Sequence, residues 1–497
     1  MVGSPILFVA VPLLAAFLIP LLGFIWKELV RIVPGIVLLY LLILSVSLYI
    51  QVLQDGTIVE QIGGWAPPWG INLVFSPFTG LLTTLMLFLA FIIWMYSYRF
   101  KNVDFEPSKK YFILLLMLVT GSIGIVLTGD IFNQFVFIEI MSISGYALTA
   151  FYTGRDSAEA SFKYLIMGSL SGMFLLLAII LIYSQLGTLN MAEIASKAHL
   201  MKPEFRVLAL VFFIVGMGIE AEIFPLNGWA PDAYSQAPGP IGAAFSGIVV
   251  KAGIYSIIRV TFTLFDVEGS MQFLVLMGMI TLVVAEIAAI KQDKIKRMLA
   301  YSSIGQMGLV LVAFGIGTEE GVFAALFLMV NHALIKPLLF LSGSYLVFNS
   351  TEKNIRELSG LGKYLPLTSF LFALGAIAIV GMPPLSGFWA KWSMLTAAAN
   401  SNMILVIGLV LMVSIVEIVY YFRVVNRIYF FKKEEDVEPK KPTLNAMASM
   451  IVLGILIVAI GFYPDLITSY LHEASESLMD KGKYIQDVLS AGQSIIQ

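Results

Sequence analysis

The stretch GIEAEIFPLNGWAPDAY, Gly218–Tyr234, decides how the rest of the chain is read. It continues the apolar run VLALVFFIVGM, Val207–Met217, so it begins where a membrane helix should be under way. It then places two carboxylates, Glu220 and Glu222, and two prolines, Pro225 and Pro231, at that depth. A proline removes an amide donor and clashes with the preceding turn, so an interrupted helix is expected here. Irregular backbone at membrane depth is tolerated only inside protein or beside water. A second such stretch is GMPPLSGFWAKW, Gly381–Trp392, where Gly381, Pro383, Pro384 and Gly387 precede Lys391. Two interrupted helices, each with charged residues beside it, point to a transport site rather than to ordinary kinks.

Composition supports the membrane reading. The chain has 497 residues, 59% hydrophobic and 12% charged, with a mean hydropathy of +0.91. A soluble domain cannot hide that much apolar surface, so an all-α polytopic membrane protein is expected. The net charge of −2 gives no footprint for nucleic acid. There is no cysteine, which excludes a cysteine-ligated iron–sulfur cluster and any disulfide on this chain. With three histidines scattered along it, haem or zinc is not expected either. Any iron–sulfur or other redox cofactor therefore belongs to partner subunits. The first apolar run, Met1–Phe24, lacks a basic leader and reads as the first span.

About fourteen stretches reach the ~20 residues needed to cross a bilayer, the seventh at 206–236 and the twelfth at 365–399. Loops after odd-numbered spans hold Lys27 and Arg31; Arg99, Lys101, Lys109 and Lys110; Arg155; Lys291, Lys294, Lys296 and Arg297; Lys353, Arg356 and Lys363; and Lys432, Lys433, Lys440 and Lys441. Loops after even-numbered spans hold little beyond Lys197 and Lys202. The excess of positive charge puts the odd loops in the cytoplasm and both termini outside the cell membrane. The two breaks lie five spans apart, so two five-helix repeats of opposite orientation are expected at 111–264 and 265–430. A three-helix region, 1–110, precedes them, and a last span with a short amphipathic tail, 431–497, follows.

Charges inside spans are functional hypotheses by default. Glu139 stands in the middle of DIFNQFVFIEIMSISGYAL, with Ser142 on the same face. Lys251, in SGIVVKAGIYSIIR, is too deep to snorkel, unlike Arg259 nearer an end. His332 and Lys336, in NHALIKPLLFLSG, share a face, and Pro337 loosens the helix there. Lys391 follows the second break. In order, Glu139, Glu220 or Glu222, Lys251, His332 with Lys336, and Lys391 form a series able to hand protons along the membrane plane. Burial disfavours the charged form of such groups, which equips them to change charge. Two further residues stay open: Glu417 is a relay member or pairs with nearby Arg423, and Lys163 is a relay member or an interfacial anchor paired with Asp156 and Glu159.

The motifs FNQFVFIEIMSISGYAL, IFPLNGWAPDAYSQAPGPIGAAFSGIVVKAGIYSIIR, QDKIKRMLAYSSIGQMG, NHALIKPLLFLSG and GMPPLSGFWAKW occur in that order. In them the chain resembles the antiporter-like subunits of respiratory complex I, of multi-subunit Mrp cation/proton antiporters and of membrane-bound energy-converting hydrogenases. The resemblance implies fourteen helices with breaks in the seventh and twelfth. It matches Glu139 to the family's fifth-helix glutamate and Lys251 to the lysine that bridges the half-channels, sets His332 in the eleventh-helix NHA motif with Lys336 a turn on, and puts Lys391 at the twelfth-helix carrier position. One position departs from the family pattern. Most members carry a lysine where this chain has Glu220, and histidines where it has Asn227 and Tyr234. Either a carboxylate replaces the amine as carrier, or the first half-channel works differently; the two glutamates also offer oxygens to a sodium ion. Glu220 and Glu222 would lie about 200° apart on a continuous helix, so only one would face Glu139. The leading expectation is a proton- or sodium/proton-translocating subunit of a redox-driven complex, partnered by other membrane subunits and a peripheral redox arm. The alternatives are the D-type subunit of a stand-alone Mrp sodium/proton antiporter, and a structural membrane-arm subunit without ion flux.

Overall fold

The computed structural model describes residues 3–98, 105–265, 267–348, 354–432 and 441–493, with 105–107 and 492–493 described by their backbone alone. The loop charges Arg99, Lys101, Lys353, Lys433 and Lys440 lie outside the described residues. The chain is built almost wholly of helices, the spanning structure that satisfies every backbone group within its own segment. They are α1 (Leu7–Ile25), α2 (Leu29–Asp55), α3 (Pro77–Ser97), α4 (Phe105–Leu127), α5 (Ile131–Thr149), α6 (Arg155–Leu186), the short α7 (Met191–Lys197) and α8 (Pro203–Glu220). After α9 (Ala230–Gln236) comes α10 (Gly239–Leu264). The series continues with α11 (Ser270–Ile290), α12 (Ile295–Gly315), α13 (Glu319–Leu346), α14 (Pro366–Val380), α15 (Ser386–Asn400), α16 (Ile404–Phe430) and α17 (Leu444–Phe462). It ends with α18 (Asp465–Met479) and α19 (Lys481–Gln493). Among the described residues, 12 helices are long and apolar enough to cross a membrane: α1–α6, α10–α13, α16 and α17.

The seventh and twelfth expected spans are each divided in two. α8 stops at Glu220 and α9 begins at Ala230. Pro225 lies between them, whereas Pro231 sits in the first turn of α9. Pro231 therefore starts a helix rather than breaking one, because a first-turn proline has no amide bond to lose. In the second break, α14 ends at Gly381, whose φ of 90° closes the helix in the left-handed region. Pro383 and Pro384 then carry the chain to α15. Gly387 allows the two halves to approach: a Cβ there would fall 1.8 Å from the Ala378 carbonyl oxygen.

Loops alternate between two faces. On one, the hairpin β1 (Ile58–Gln61) and β2 (Asn72–Phe75) meets the loop after α4, where the Gly129 amide donates to the Asn72 carbonyl at 2.8 Å. Asn190, in the loop after α6, donates to the Asn72 side chain at 2.8 Å. On the other face, the Ile355 amide donates to the Asp293 carbonyl at 2.8 Å and Gly360 to Arg427 at 3.1 Å. Asp232 of α9 pairs there with Lys163 and Arg297.

The tail differs from the single short helix expected. It forms two, because Asp480 ends α18 and its side chain accepts from the Lys483 amide at 2.8 Å, capping α19. Leu471, Ala474 and Leu478 are buried, and α18 packs on α13 and α3. The Gln61 side-chain amide donates to the Ala491 carbonyl at 2.7 Å.

α11 and α12 pack backbone against backbone. A Cβ on Gly308 would lie 2.6 Å from the Gly278 carbonyl oxygen, and one on Gly278 the same distance from that of Gly308. Small residues at such a crossing let membrane helices gain dispersion contact. Gly308→Leu is expected to destabilise the chain by about 3 kcal/mol, the upper range for overpacking. Gly408→Leu, whose Cβ would meet nothing within 4 Å, is the near-neutral control. Thermal unfolding of the two purified variants reads the difference.

Candidate functional site

The interior polar groups gather along one helix. α12 supplies the Leu299 carbonyl, Ser302, Ser303 and Gln306 to side chains arriving from α13 and α16. These positions span two turns of one helix face, so a ladder of polar contacts runs along it.

At one end stands Lys251 of α10, fully buried. Its ammonium donates to the Ser246 carbonyl at 2.8 Å and is hydrogen-bonded to His332 Nδ1. Ser246 belongs to a π-helical turn, Phe245–Val249; such bulges loosen regular pairing and recur at functional sites. An Nδ1 that accepts from the ammonium leaves the ring proton on Nε2. That nitrogen faces Ser303 Oγ at 3.1 Å.

Lys336 lies one turn along α13 from His332 but turns to different partners. It donates to the Leu299 carbonyl at 3.2 Å and to Tyr421 OH at 3.0 Å. Tyr421 OH contacts Ser302 Oγ at 3.0 Å, and Tyr420 OH donates to the same oxygen at 2.7 Å.

The far end is the second break. Lys391 of α15 forms an ion pair with Glu417 of α16. It also donates to the Val380 carbonyl at 3.0 Å and to Ser414 Oγ at 3.2 Å. Val380 ends α14, so its carbonyl is one of the orphans that every helix C-terminus leaves. Gln306 donates to the other Glu417 oxygen. The expectation that Glu417 pairs with Arg423 does not hold: six residues place the two on different faces of α16, and Arg423 donates instead to the Gln292 carbonyl.

The first break is built differently. Glu220, fully buried at the end of α8, accepts from Ser142 Oγ at 3.1 Å and from Tyr164 OH at 3.4 Å. Trp229 stacks on Tyr164 at 3.6 Å and donates to the Ile219 carbonyl at 3.0 Å, which fixes the break against α6. Glu139 shares α5 with Ser142 and points toward α6, where a Cβ on Gly172 would meet its Oε1 at 2.6 Å. Glu222 does not turn outward as a continuous helix would require. The helix has ended, Glu222 takes a φ of 61°, and its Oε2 is buried without a hydrogen-bond partner. A non-glycine residue in that region is strained and marks a position held by its surroundings. The break touches α10 where a Cβ on Gly253 would meet the Ala221 amide at 2.7 Å, two residues from Lys251. Lys163 stands apart from these groups. It is half-exposed and pairs with Glu159 and Asp232, which is the geometry of an interfacial anchor.

Thus Lys251 and His332 are brought into contact, Lys336 reaches α12 directly and Lys391 reaches it through Glu417, and α5 carries both Glu139 and the Ser142 that bonds Glu220. Sequence reasoning missed Ser302, Ser303, Gln306, Tyr420, Tyr421 and Glu286. A polar triplet at i, i+1 and i+4 in the apolar α12 was the available signal for the first three. Tyr420 and Tyr421 lie well inside α16, Ile404–Phe430, where only the packing of the helix shows that their hydroxyls face Ser302.

Residues 128–416 match the transmembrane family described as NADH:quinone oxidoreductase/Mrp antiporter. The chain is 34% identical to the N-type subunit of the NADH-quinone oxidoreductase of Desulforudis audaxviator, over 82% of this chain and 85% of that one. It is 30% identical to the D-type subunit of the Na(+)/H(+) antiporter of Alkalihalophilus pseudofirmus, over 92% and 94%. Among solved structures, a chain of the membrane-bound sulfane sulfur reductase, an archaeal respiratory membrane complex, superposes with a TM-score of 0.91. It is 39% identical and the match covers 98% of this chain and 100% of that one.

Proposed function

The chain belongs to the NADH:quinone oxidoreductase/Mrp antiporter family, and from that premise we propose that it is an ion-translocating membrane subunit of a redox-driven respiratory complex. The observation that carries this reading is the succession of titratable side chains strung along α12, from Lys251 and His332 through Lys336 to Glu417 and Lys391. A scaffold gains nothing from burying so many ionisable groups, each of which costs free energy in a low-dielectric interior. Protons move through such a series by changes of protonation, with hydroxyls and water between the carriers. Lys251, His332, Lys336 and Lys391 carry the second half-channel. Glu139 and Glu220, with Glu222 beside them, carry the first, where a carboxylate stands in place of the family's usual amine.

The redox cofactors sit on a peripheral arm, because this chain has no cysteine with which to hold a cluster. Other membrane subunits flank it in a cell membrane, with the positively charged odd loops in the cytoplasm. The likeness to a respiratory complex at 39% identity favours the redox reading over the antiporter at 30%. Affinity purification of the chain from its own membranes tests this. Co-purifying subunits that contain iron are expected, whereas a preparation of small membrane subunits free of iron would move the chain to the stand-alone antiporter group.

A further inference from the structure

We propose that Glu286 of α11 is a further proton-carrying residue of the second half-channel, standing between the Tyr420–Ser302 hydroxyls and the Glu417–Lys391 pair. The proposal rests on the translocating role just described. Glu286 lies in the apolar run TLVVAEIAAI, Thr281–Ile290, and is 1% exposed. Both of its oxygens are buried without a hydrogen-bond partner; among the described residues it is the one buried side chain with two polar atoms in that state. A carboxyl group so placed is stable only with a proton, a water or a cation on those oxygens.

Its direction is fixed by α12. A Cβ on Gly305 would fall 2.3 Å from Glu286 Oε1, so the carboxyl group lies against that glycine. Ser302, one turn earlier on the same face, accepts from Tyr420, and Gln306, the next residue, donates to Glu417. The bare oxygens of Glu286 therefore enter α12 between the two polar clusters that the hydrogen bonds already described leave unjoined. α11 also packs on α16, which carries Tyr420, Tyr421 and Glu417. α12 has no carboxylate of its own, and Gly305 opens the space into which the neighbouring helix delivers one. In the step proposed, the Lys336 ammonium releases a proton that crosses by hydroxyl and water to a Glu286 oxygen. An N–H bond breaks, an O–H bond forms, and the same proton is then passed toward Glu417; no electron moves.

The test uses the purified complex in proteoliposomes, comparing redox-driven proton uptake at equal complex content. Glu286→Gln keeps the shape and removes the exchangeable proton. It is expected to assemble as wild type and to lose uptake by about 100-fold, the usual size for a positioned proton carrier, with part of the loss recovered in Glu286→Asp. Gly305→Ala, which crowds Oε1 while leaving the acid in place, is expected to lower uptake as well, and it decides the matter if Glu286→Gln fails to assemble. Wild-type uptake by Glu286→Gln, or by Gly305→Ala where that variant decides, overturns the proposal. The double variant Lys391→Ala, Glu417→Gln separates the two readings. If it is inactive while Glu286→Gln pumps normally, Glu286 alone loses its role; if it too pumps normally, the translocating reading fails.

Discussion

Replacing Lys391 and Glu417 together, as Lys391→Ala with Glu417→Gln, is expected to abolish ion translocation in a complex that still assembles. The two form a buried ion pair, with Lys391 about one-tenth exposed by side chain and Glu417 fully covered. Removing one partner of such a pair costs about 3–5 kcal/mol, because the other charge is left uncompensated. Lys391→Ala alone would therefore mix lost stability with lost transport. Removing both charges avoids that cost, since a buried pair replaced as a unit is often neutral for stability. Glu417→Gln also keeps a carbonyl oxygen near Gln306, so that hydrogen bond is re-formed with a neutral acceptor. What is lost is the ammonium beside the Val380 carbonyl at the second break, the place where freed backbone and water are expected to meet. Proton uptake by the double variant is expected to fall by about 100-fold or more, as for removal of a positioned proton carrier. Equal recovery of the complex from membranes checks assembly.

The second large effect is expected at Glu220. Its described partners are the hydroxyls of Ser142 and Tyr164, not a cation. Glu220→Gln therefore leaves no buried positive charge unpaired, and assembly is expected to stay within about 1 kcal/mol of wild type, the size of one neutral hydrogen bond. The glutamine can still accept at its carbonyl oxygen from one of those hydroxyls, but it cannot take up or release a proton. Transport is expected to fall by about 100-fold if a carboxylate is the carrier. Glu220→Lys restores the amine usual in the family opposite Glu139 and is expected to assemble and pump in part. Wild-type transport by Glu220→Gln removes the carboxylate from the path. Loss of assembly in the same variant would instead mark Glu220 as a structural group paired with a partner subunit.

Much of this was legible from residues alone, for reasons that are local. Pro225, Pro383 and Pro384 announce their breaks because each stands with charged residues at membrane depth, whereas Pro12, Pro20, Pro34 and Pro337 lie inside continuous helices. Lys251, His332 and Lys336 announce themselves because a charge deep in an apolar run needs a reason. Pro231 misled, since a proline inside a break and one that opens the next helix look alike until the end of the break is known. Glu417 misled in its partner: Arg423 is near in sequence, but Lys391 is near in space, and only the packing of α15 on α16 decides between them. Glu222 was set on an opposite face by helical spacing that its own left-handed φ abolishes. Glu286 passed unnoticed in an apolar run, although the rule that singled out Glu139 applies to it equally. The polar face of α12 became meaningful only once the side chains that reach it from three other helices were in place.

If the charges along α12 carry ions when a redox reaction drives the complex, proton uptake depends on them as well as on electron flow. Proton uptake per electron, measured in proteoliposomes that hold equal amounts of the wild-type complex and of the Lys391→Ala, Glu417→Gln double variant, tests it most directly. Uptake at a fixed ratio to electron flow is expected in the wild type, and uptake near background in the variant. The same ratio in both preparations would contradict it.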